Sequence, residues 1–492
     1  MPPIFSPSRF HNSYAKLGED YATLVKPTAL QQPPYLIHFN AKAAQLIDLE
    51  LPDHPQQDLI HLLSGNTIEE GMEPLAMLYA GHQFGHFVPQ LGDGRAIMLG
   101  EIHNKNDQPW EIQLKGSGLT PYSRQGDGRA VLRSTIREYL CSEAMFGLGI
   151  PTTRALCITG SDDEIYRETV ETAAVLTRLS PSHVRFGSFE VFYYRQQLDK
   201  VKTLADYVIK NFYPTAANSE NSYLELLKLV SEKTAQLIAQ WQAVGFSHGV
   251  LNTDNMSILG LTLDYGPFGF MEAYNPSYVC NHSDHQGRYA YKEQPSIGLW
   301  NLSCLAQTLI PLIEVEEAKE VLGNYEQILV TNYQQLMLKK IGLKTNDKKS
   351  IRLFIDFLAI LQKDQADYSR SFRALSSVTA ADSAQNTKFV DTFIDREAMK
   401  KWLGEYQAVL TDNNNINDTT RKQAMDAVNP KYILRNYMAQ IAIEKAEKDQ
   451  DYSEIENLLT LMHAPYDEHP EFEHYAQQPP DWANGISVSC SS

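Results

Sequence analysis

Residues 247–266, SHGVLNTDNMSILGLTLDYG, gather more candidate metal and proton chemistry than any other stretch of this chain. A polar segment, Asn252 to Asn255, runs into the apolar pair Ile258 and Leu259. Gly260 can turn the chain, and Leu261 and Leu263 lead on to Asp264-Tyr265-Gly266. That order predicts a loop followed by a small hairpin. A hairpin would bring Asn255 and Asp264 together, and two hard oxygen donors suit a magnesium ion carrying nucleotide phosphates. The competing reading makes Asp254, Asn255 and Asp264 ordinary turn residues, favoured for local hydrogen bonding.

Spacing separates the two readings. In protein kinases a His-Arg-Asp triplet opens the catalytic loop, the metal-binding Asn follows seven residues after the His, and an Asp-Phe-Gly lies beyond. Here His248 and Asn255 are seven apart, and Asp264-Tyr265-Gly266 stands where the second ligand belongs. The position of the kinase's proton-accepting Asp is Val250. The stretch therefore reads as a kinase-like site without the usual base.

Upstream, the residues that a kinase-like site needs occur in order. Gly92-Asp93-Gly94-Arg95 precedes the strand-like run AIMLGEI, and its glycines would let backbone approach a bulky anion, although a plain hairpin turn fits the same residues. Trp110 to Lys115 alternates, with Trp110, Ile112 and Leu114 on one face and Glu111, Gln113 and Lys115 on the other. A second glycine-rich loop, GSGLTPYSRQGDGR, carries Asp127 and Gly128. It leads into a helix in which Leu132, Ile136, Tyr139, Leu140 and Ala144 share a face. Glu138 on that helix is the natural ion-pair partner for Lys115, the strand-lysine, helix-glutamate order of kinases, with a solvated lysine and a solvated helix face as the bland alternative. The strand-like runs TRALCIT and TAAVLTRL follow. Then come Arg178 and Arg185, the residue type for bidentate phosphate recognition, with surface salt bridges as the bland alternative. His82 and His86 are four apart, but Gly81 and Gly85 disfavour the helix that would present both to one metal, so packing roles are expected.

Composition bounds the rest. The chain has 492 residues, 43% of them hydrophobic, and a mean hydropathy of −0.35, which points to a globular protein of two or three domain-sized cores. No run approaches the about 18 consecutive apolar residues of a membrane span, and no export signal is evident at the N-terminus, so no membrane partner and a cytoplasmic location are expected. A formal charge of −17 argues against a nucleic-acid partner. Five cysteines without CxxC spacing exclude a disulfide scaffold.

From about residue 203 the pattern turns helical. A strongly apolar helix is predicted over 222–244, ending at Gly245, and a buried one over PSIGLWNLSCLAQTLIPLI. Amphipathic stretches are expected at 317–340, 350–362 and 389–411, a polar loop at 411–420, a helix opening at Pro430, and an extended tail. The predicted class is α+β, a protein-kinase-like two-lobed fold. Its expected parts are an N-terminal extension (1–78), a nucleotide-binding lobe (79–195), a mostly helical lobe with the loop and metal hairpin (196–410), and a helical extension and tail (411–492).

With these motifs laid out, the chain resembles the selenoprotein O family, pseudokinases also called protein adenylyltransferases, in a bacterial-type form ending in Cys rather than selenocysteine. The resemblance runs from NSYAKLGEDYATL through YAGHQFGHFVPQLGDGRA, LKGSGLTPYSRQGDGRAVLRSTIREYL, SHGVLNTDNMSILGLTLDYGPFGF and NPKYILRNYMAQ to the terminal CSS. It implies AMP transfer from ATP to hydroxyl side chains of proteins, redox-related proteins among them, with magnesium and with manganese able to substitute. The nucleotide would lie flipped relative to a kinase. By motif, Gly92, Gly94, Arg95, Lys115, Asp127, Gly128, Arg178, Arg185 and Asp264 would contact ATP. Asp254 would accept the proton, Asn255 and Asp264 would hold the metal, and Cys490 would pair with Cys280 on oxidation. Two rivals stay open: a phosphotransferase, and a non-catalytic ATP-binding scaffold suggested by Val250.

Overall fold

The alternation at 110–115 produces a strand at the centre of a sheet. A computed structural model describes residues 3–50, 57–344, 346–412 and 417–489. The strands of the first lobe are β1 (Ala22–Leu24), β2 (Tyr35–Phe39), β3 (Leu75–Met77), β4 (Gly81–Gln83), β5 (His86–Val88), β6 (Ala96–His103), β7 (Pro109–Lys115), β8 (Ala130–Val131), β9 (Arg154–Tyr166) and β10 (Val170–Ser180). Eight of them form one antiparallel sheet in the order β1-β3-β6-β7-β10-β9-β2, with β8 on β10; β4 and β5 make a separate hairpin. Helices α1 (Ala41–Ala44), α2 (Gln57–Leu63) and α3 (Leu132–Gly147) belong to this lobe.

The two faces of β7 divide as its sequence dictates. Ile112 and Leu114 join Leu59, Leu62 and Leu63 of α2 in an apolar cluster on one side, each burial contributing about 1.5–3 kcal/mol. Glu111, Gln113 and Lys115 face the other side, where Lys115 and Gln113 meet groups from α3 and β10. Three strands from the stretch expected as an N-terminal extension (1–78) pair into the sheet of this lobe. β1 and β3 form one edge of the sheet and β2 the other.

The second lobe is helical: α4 (Phe186–Tyr194), α5 (Leu198–Phe212), α6 (Ser222–Val244), α7 (Gln294–Leu309), α8 (Val315–Gly323), α9 (Tyr325–Lys340), α10 (Lys348–Asp364), α11 (Tyr368–Leu375), α12 (Ala384–Asp391), α13 (Arg396–Asp412), α14 (Asp418–Asp426), α15 (Asn436–Asp449) and α16 (Ser453–His463). The short strands β11 (Phe246–Ser247) and β12 (Gly269–Phe270) pair at the two ends of the central loop. Asn221 caps α6, its side chain accepting from the amides of Tyr223 and Leu224, and the helix ends at Gly245 as expected. Its buried face, Leu227, Val230, Ile238 and Trp241, belongs to the same core as Leu302 and Leu305 of α7. A second core, with Phe357, Trp402 and Tyr406, joins α10 to α13. Together these elements make the expected α+β, two-lobed, kinase-like architecture.

Three helical expectations change. The stretch 317–340 breaks at Asn324 into α8 and α9, and 389–411 breaks between α12 and α13, where Asp395 accepts from the amide of Ala398. Residues 413–416 of the polar loop lie outside the described residues. The helix expected at Pro430 begins only at Asn436. Residues 430–434 stay non-helical: Lys431 and Tyr432 donate to the carbonyl of Pro465, Arg435 donates back to that of Ile433, and Tyr432, Ile433 and Leu434 fill the core. The C-terminal helices α15 and α16 pack back on α3, with His463 bonded to Glu143 at 2.8 Å. Among the described residues no helix is long and apolar enough to cross a membrane.

Candidate active site

Between the sheet and the helical lobe lies a cleft of about 670 Å³. Its floor is built from the polar face of β7. Lys115 Nζ lies 2.5 Å from Glu138 Oε2 and 3.1 Å from Asp264 Oδ1. On the neighbouring strand, Arg178 is paired in register with Gln113. Its Nε donates to Gln113 Oε1 at 2.7 Å, and its Nη1 reaches Glu138 Oε1 at 2.9 Å and Asp264 Oδ1 at 2.5 Å. Arg185, at the N-terminus of α4, donates to Asp264 Oδ2 and to the carbonyl of Asp254 at 2.7 Å, and its guanidinium lies 4.9 Å from the ring centre of Tyr79. Asp264 is thus the meeting point of three cations. Burial opposes its ionisation, but Arg178, then Arg185 and Lys115, outweigh burial and hold its carboxyl well below the usual range.

Asp264 reaches this point with a φ of +56°, a left-handed conformation that is costly for a residue with a side chain. The predicted hairpin before it is reduced to a single bridge, Met256 to Thr262. Distant segments hold the loop instead. Thr262 donates to Pro151, Ile258 donates to Val184, and Phe186 donates to Met256, all through backbone amides. Asn255 still comes to the cleft wall, its amide donating to the Val250 carbonyl at 2.9 Å and its side-chain oxygen left for another partner.

Asp254 is 7% exposed and faces the same cleft. Its Oδ2 accepts from Gln83 Nε2 at 3.1 Å, and its Oδ1 has no partner among the described residues. Burial pushes its carboxyl up to about 6, against the opposing pull of Gln83 and Arg185. The β4–β5 hairpin can come this close only because position 81 is glycine: a Cβ there would stand 2.7 Å from Asp254 Oδ1. His82 and His86 accordingly sit on paired strands, not on a helix. His82, Glu190 and Cys304 bring potential ligand atoms within 4.8 Å of one another. Both Glu190 oxygens are already bonded, however, to His82 Nδ1 and Thr253 Oγ1, so the group braces the loop. His248 braces it from behind, with Nε2 on the carbonyl of Leu263 at 3.0 Å.

The two glycine segments form the roof. Ser123 donates to the carbonyl of Gly94 and Thr120 to that of Asp93, so the second segment is tied to the first. Gly128 has a φ of +72°, and a Cβ on it would stand 2.1 Å from the carbonyl oxygen of Gly118. Asp127 turns its carboxylate to Arg167 at the tip between β9 and β10, with two contacts of 2.8 Å. Arg95 is exposed at the cleft and makes no ion pair among the described residues. All the residues expected at the site therefore line one cleft. Gln83, Tyr79 and Arg167 carried no signal in the sequence, since their partners are distant in the chain. Gln113 could have been found from its place beside Lys115 on β7. Cys280 is buried beside Ser247 and Pro267. Cys490 lies outside the described residues, although Val488 pairs with Asn281.

Known proteins resemble this chain over nearly its whole length. The family model described as protein adenylyltransferase SelO matches residues 5–463. A protein named protein nucleotidyltransferase YdiU in Thiobacillus denitrificans is 53% identical over 98% of both chains. Its namesakes in Herminiimonas arsenicoxydans and Myxococcus xanthus are 53% and 49% identical, over 98% of this chain and 96% and 99% of theirs. By that match and by these relatives, the chain belongs to the protein adenylyltransferase SelO family.

Proposed function

We propose that this protein transfers AMP from ATP to Ser, Thr or Tyr hydroxyls of other proteins. The observation that carries the reading is the convergence of Lys115, Arg178 and Arg185 on Asp264, beside a buried Asp254 with one unpartnered oxygen. Arginine forks suit phosphate oxygens, and three cations around one carboxylate suit a polyphosphate that arrives with a metal. The donor set fits magnesium, or manganese in its place. Asn255 and Asp264 offer hard oxygens on one wall, and the ion would neutralise phosphate charge.

In this reading Arg178, Arg185, Lys115 and Arg95 hold the phosphates, while Gly92, Gly94, Asp127 and Gly128 shape the roof over the nucleotide. With the terminal phosphates held by the deep arginines, the α-phosphorus faces the catalytic loop. Asp254 Oδ1 accepts the proton of the attacking hydroxyl, whose oxygen bonds the α-phosphorus as the bond from that phosphorus to the bridging oxygen breaks. Pyrophosphate leaves, its charge met by Lys115, Arg178 and Arg185, and Glu138 keeps Lys115 and Arg178 in place. At the kinase base position, Val250 offers no proton acceptor. Partners are proteins with accessible hydroxyl side chains, redox-related ones among them.

Incubation with ATP labelled at the α- or the γ-phosphate tests the proposal. Label on protein from α alone is the expected result. Label from γ alone would make the protein a phosphotransferase, and none from either would make it a binding scaffold.

A further inference from the structure

Glu111 and His183 are both fully buried next to the cleft's cations, and no step described so far uses them. Their pairing is costly on three counts. Glu111 stands in register with Glu101, itself 3% exposed; burial first, then Glu101, push the Glu111 carboxyl well above its usual range. Glu111 Oε1 and His183 Nε2 have no hydrogen-bond partner among the described residues, so two buried polar atoms are left without return. The imidazole also lies close to Arg178 and Arg185; burial first, then those two cations, keep it well below its usual range and neutral.

What the pair does supply is position. Glu111 Oε2 accepts from the backbone amide of His183 at 2.7 Å and from its Nδ1 at 2.6 Å. These two bonds pin the link between β10 and α4 to the middle of β7. Arg178 lies just before that link and Arg185 just after the pinned residue. On the same face of β7, Gln113 fixes Arg178 through Nε, and its own amide donates to Asp93 in the first glycine turn at 3.3 Å. Both arginines are thus referenced to one strand, the strand that carries Lys115.

We propose that Glu111 and His183 are positioning residues: a buried carboxyl–imidazole bracket that sets where the Arg185 guanidinium stands relative to Arg178 and Lys115, and so shapes the pocket for the terminal phosphates of the nucleotide. The inference rests on the reading of Arg178 and Arg185 as phosphate-holding groups. Displacing such a group by about 1 Å can cost on the order of 10²-fold in rate.

The test compares Glu111→Met/His183→Phe, Glu111→Gln and Arg185→Lys, alone and combined, by Tm, by KM for ATP and by kcat for AMP transfer. The apolar double variant is expected to lose some Tm, because the buried amide of residue 183 is left without its acceptor, while kcat/KM falls 10- to 100-fold and Arg185→Lys, which keeps that bond, leaves Tm unchanged. Glu111→Gln, which retains an acceptor oxygen, should restore most of the transfer. Combined with Arg185→Lys, the double variant should add little to the loss, since both act through one guanidinium. Should the double variant fail to fold, His183→Asn carries the same comparison with Arg185→Lys. Wild-type kinetics in the bracket variants, with Arg185→Lys impaired, would overturn the bracket alone. So would losses that add in full. Full activity of Arg185→Lys would overturn the phosphate-holding reading, and the bracket with it.

Discussion

Asp264 holds a left-handed backbone and three cations at once, and either feature would be given up by a turn residue with no task. Removing its carboxylate would leave Lys115, Arg178 and Arg185 facing one another in a partly buried space. Asp264→Ala is therefore expected to abolish transfer and to weaken magnesium-dependent ATP binding. Asp254 has a different burden, since one oxygen is tied to Gln83 and the other is free. For Asp254→Ala, transfer should fall by ~10²–10⁴-fold, the usual contribution of a general base, with nucleotide binding largely kept. Calorimetric titration of ATP with magnesium separates the two; equal loss of binding in both variants would contradict this division of roles. Asp264 was legible in the sequence because its motif lies close to His248 and Asn255, whereas Asp254 was singled out by the family resemblance. The groups that tune them were not: Gln83 lies 171 residues from Asp254, and nothing in YAGHQFGHF signals where its amide will point.

Helix α3 works on two sides. Glu138 faces the cleft cations, while Glu143 faces away to Arg154, with contacts of 2.8 and 2.9 Å, and to His463 of α16 at 2.8 Å. Burial raises the Glu143 carboxyl, but His463 and Arg154 outweigh it and bring it down to about 2, from 4.5. A lowered carboxyl stabilises the fold fully above its unfolded value and loses that contribution as pH falls toward the folded one. At neutral pH this amounts to roughly 3 kcal/mol. Glu143→Gln should accordingly destabilise the protein at pH 7 in urea unfolding, with the gap to wild type narrowing between pH 4.5 and pH 2. The glycine loop supports a second expectation. Gly128→Ala would drive a methyl group into the Gly118 carbonyl at a positive φ, so KM for ATP should rise while Tm changes little. Elements such as β7, α3 and α6 were readable because their periodicity and caps lie within the element. The hairpin before Asp264 was misread because Pro151, Val184 and Phe186 do the work that ladder bonds were expected to do. The start of α15 was misread because Tyr432, Ile433 and Leu434 in succession turn into the core and Arg435 donates back to Ile433, an arrangement set by tertiary packing.

Across the whole molecule, the two ends of the chain are tied to the lobe that carries the glycine turns. The C-terminal helices α15 and α16 buttress α3, and the first forty residues close both edges of the sheet. Composition placed these segments outside the kinase-like core, because short edge strands and a buttress carry no motif of their own. Deleting residues 1–40 should leave the edges at β3 and β9 unpaired, and the product is expected to aggregate, which light scattering during purification would register. The same edge arrangement has a consequence for how the chain is made. Leu36 pairs with Thr159, so the segment YLIHF leaves the ribosome long before its partner strand exists. At roughly 5–20 residues per second that wait lasts about 6–25 s, an interval in which an apolar strand has nothing to pair with. Nascent chains stalled with β9 still inside the exit tunnel should be cut by protease near residues 35–39, and chains stalled after β10 has emerged should be protected there. Synthesis would then deliver the outermost strand first and seat it last, making the early part of this protein a client for whatever guards unpaired strands on the ribosome.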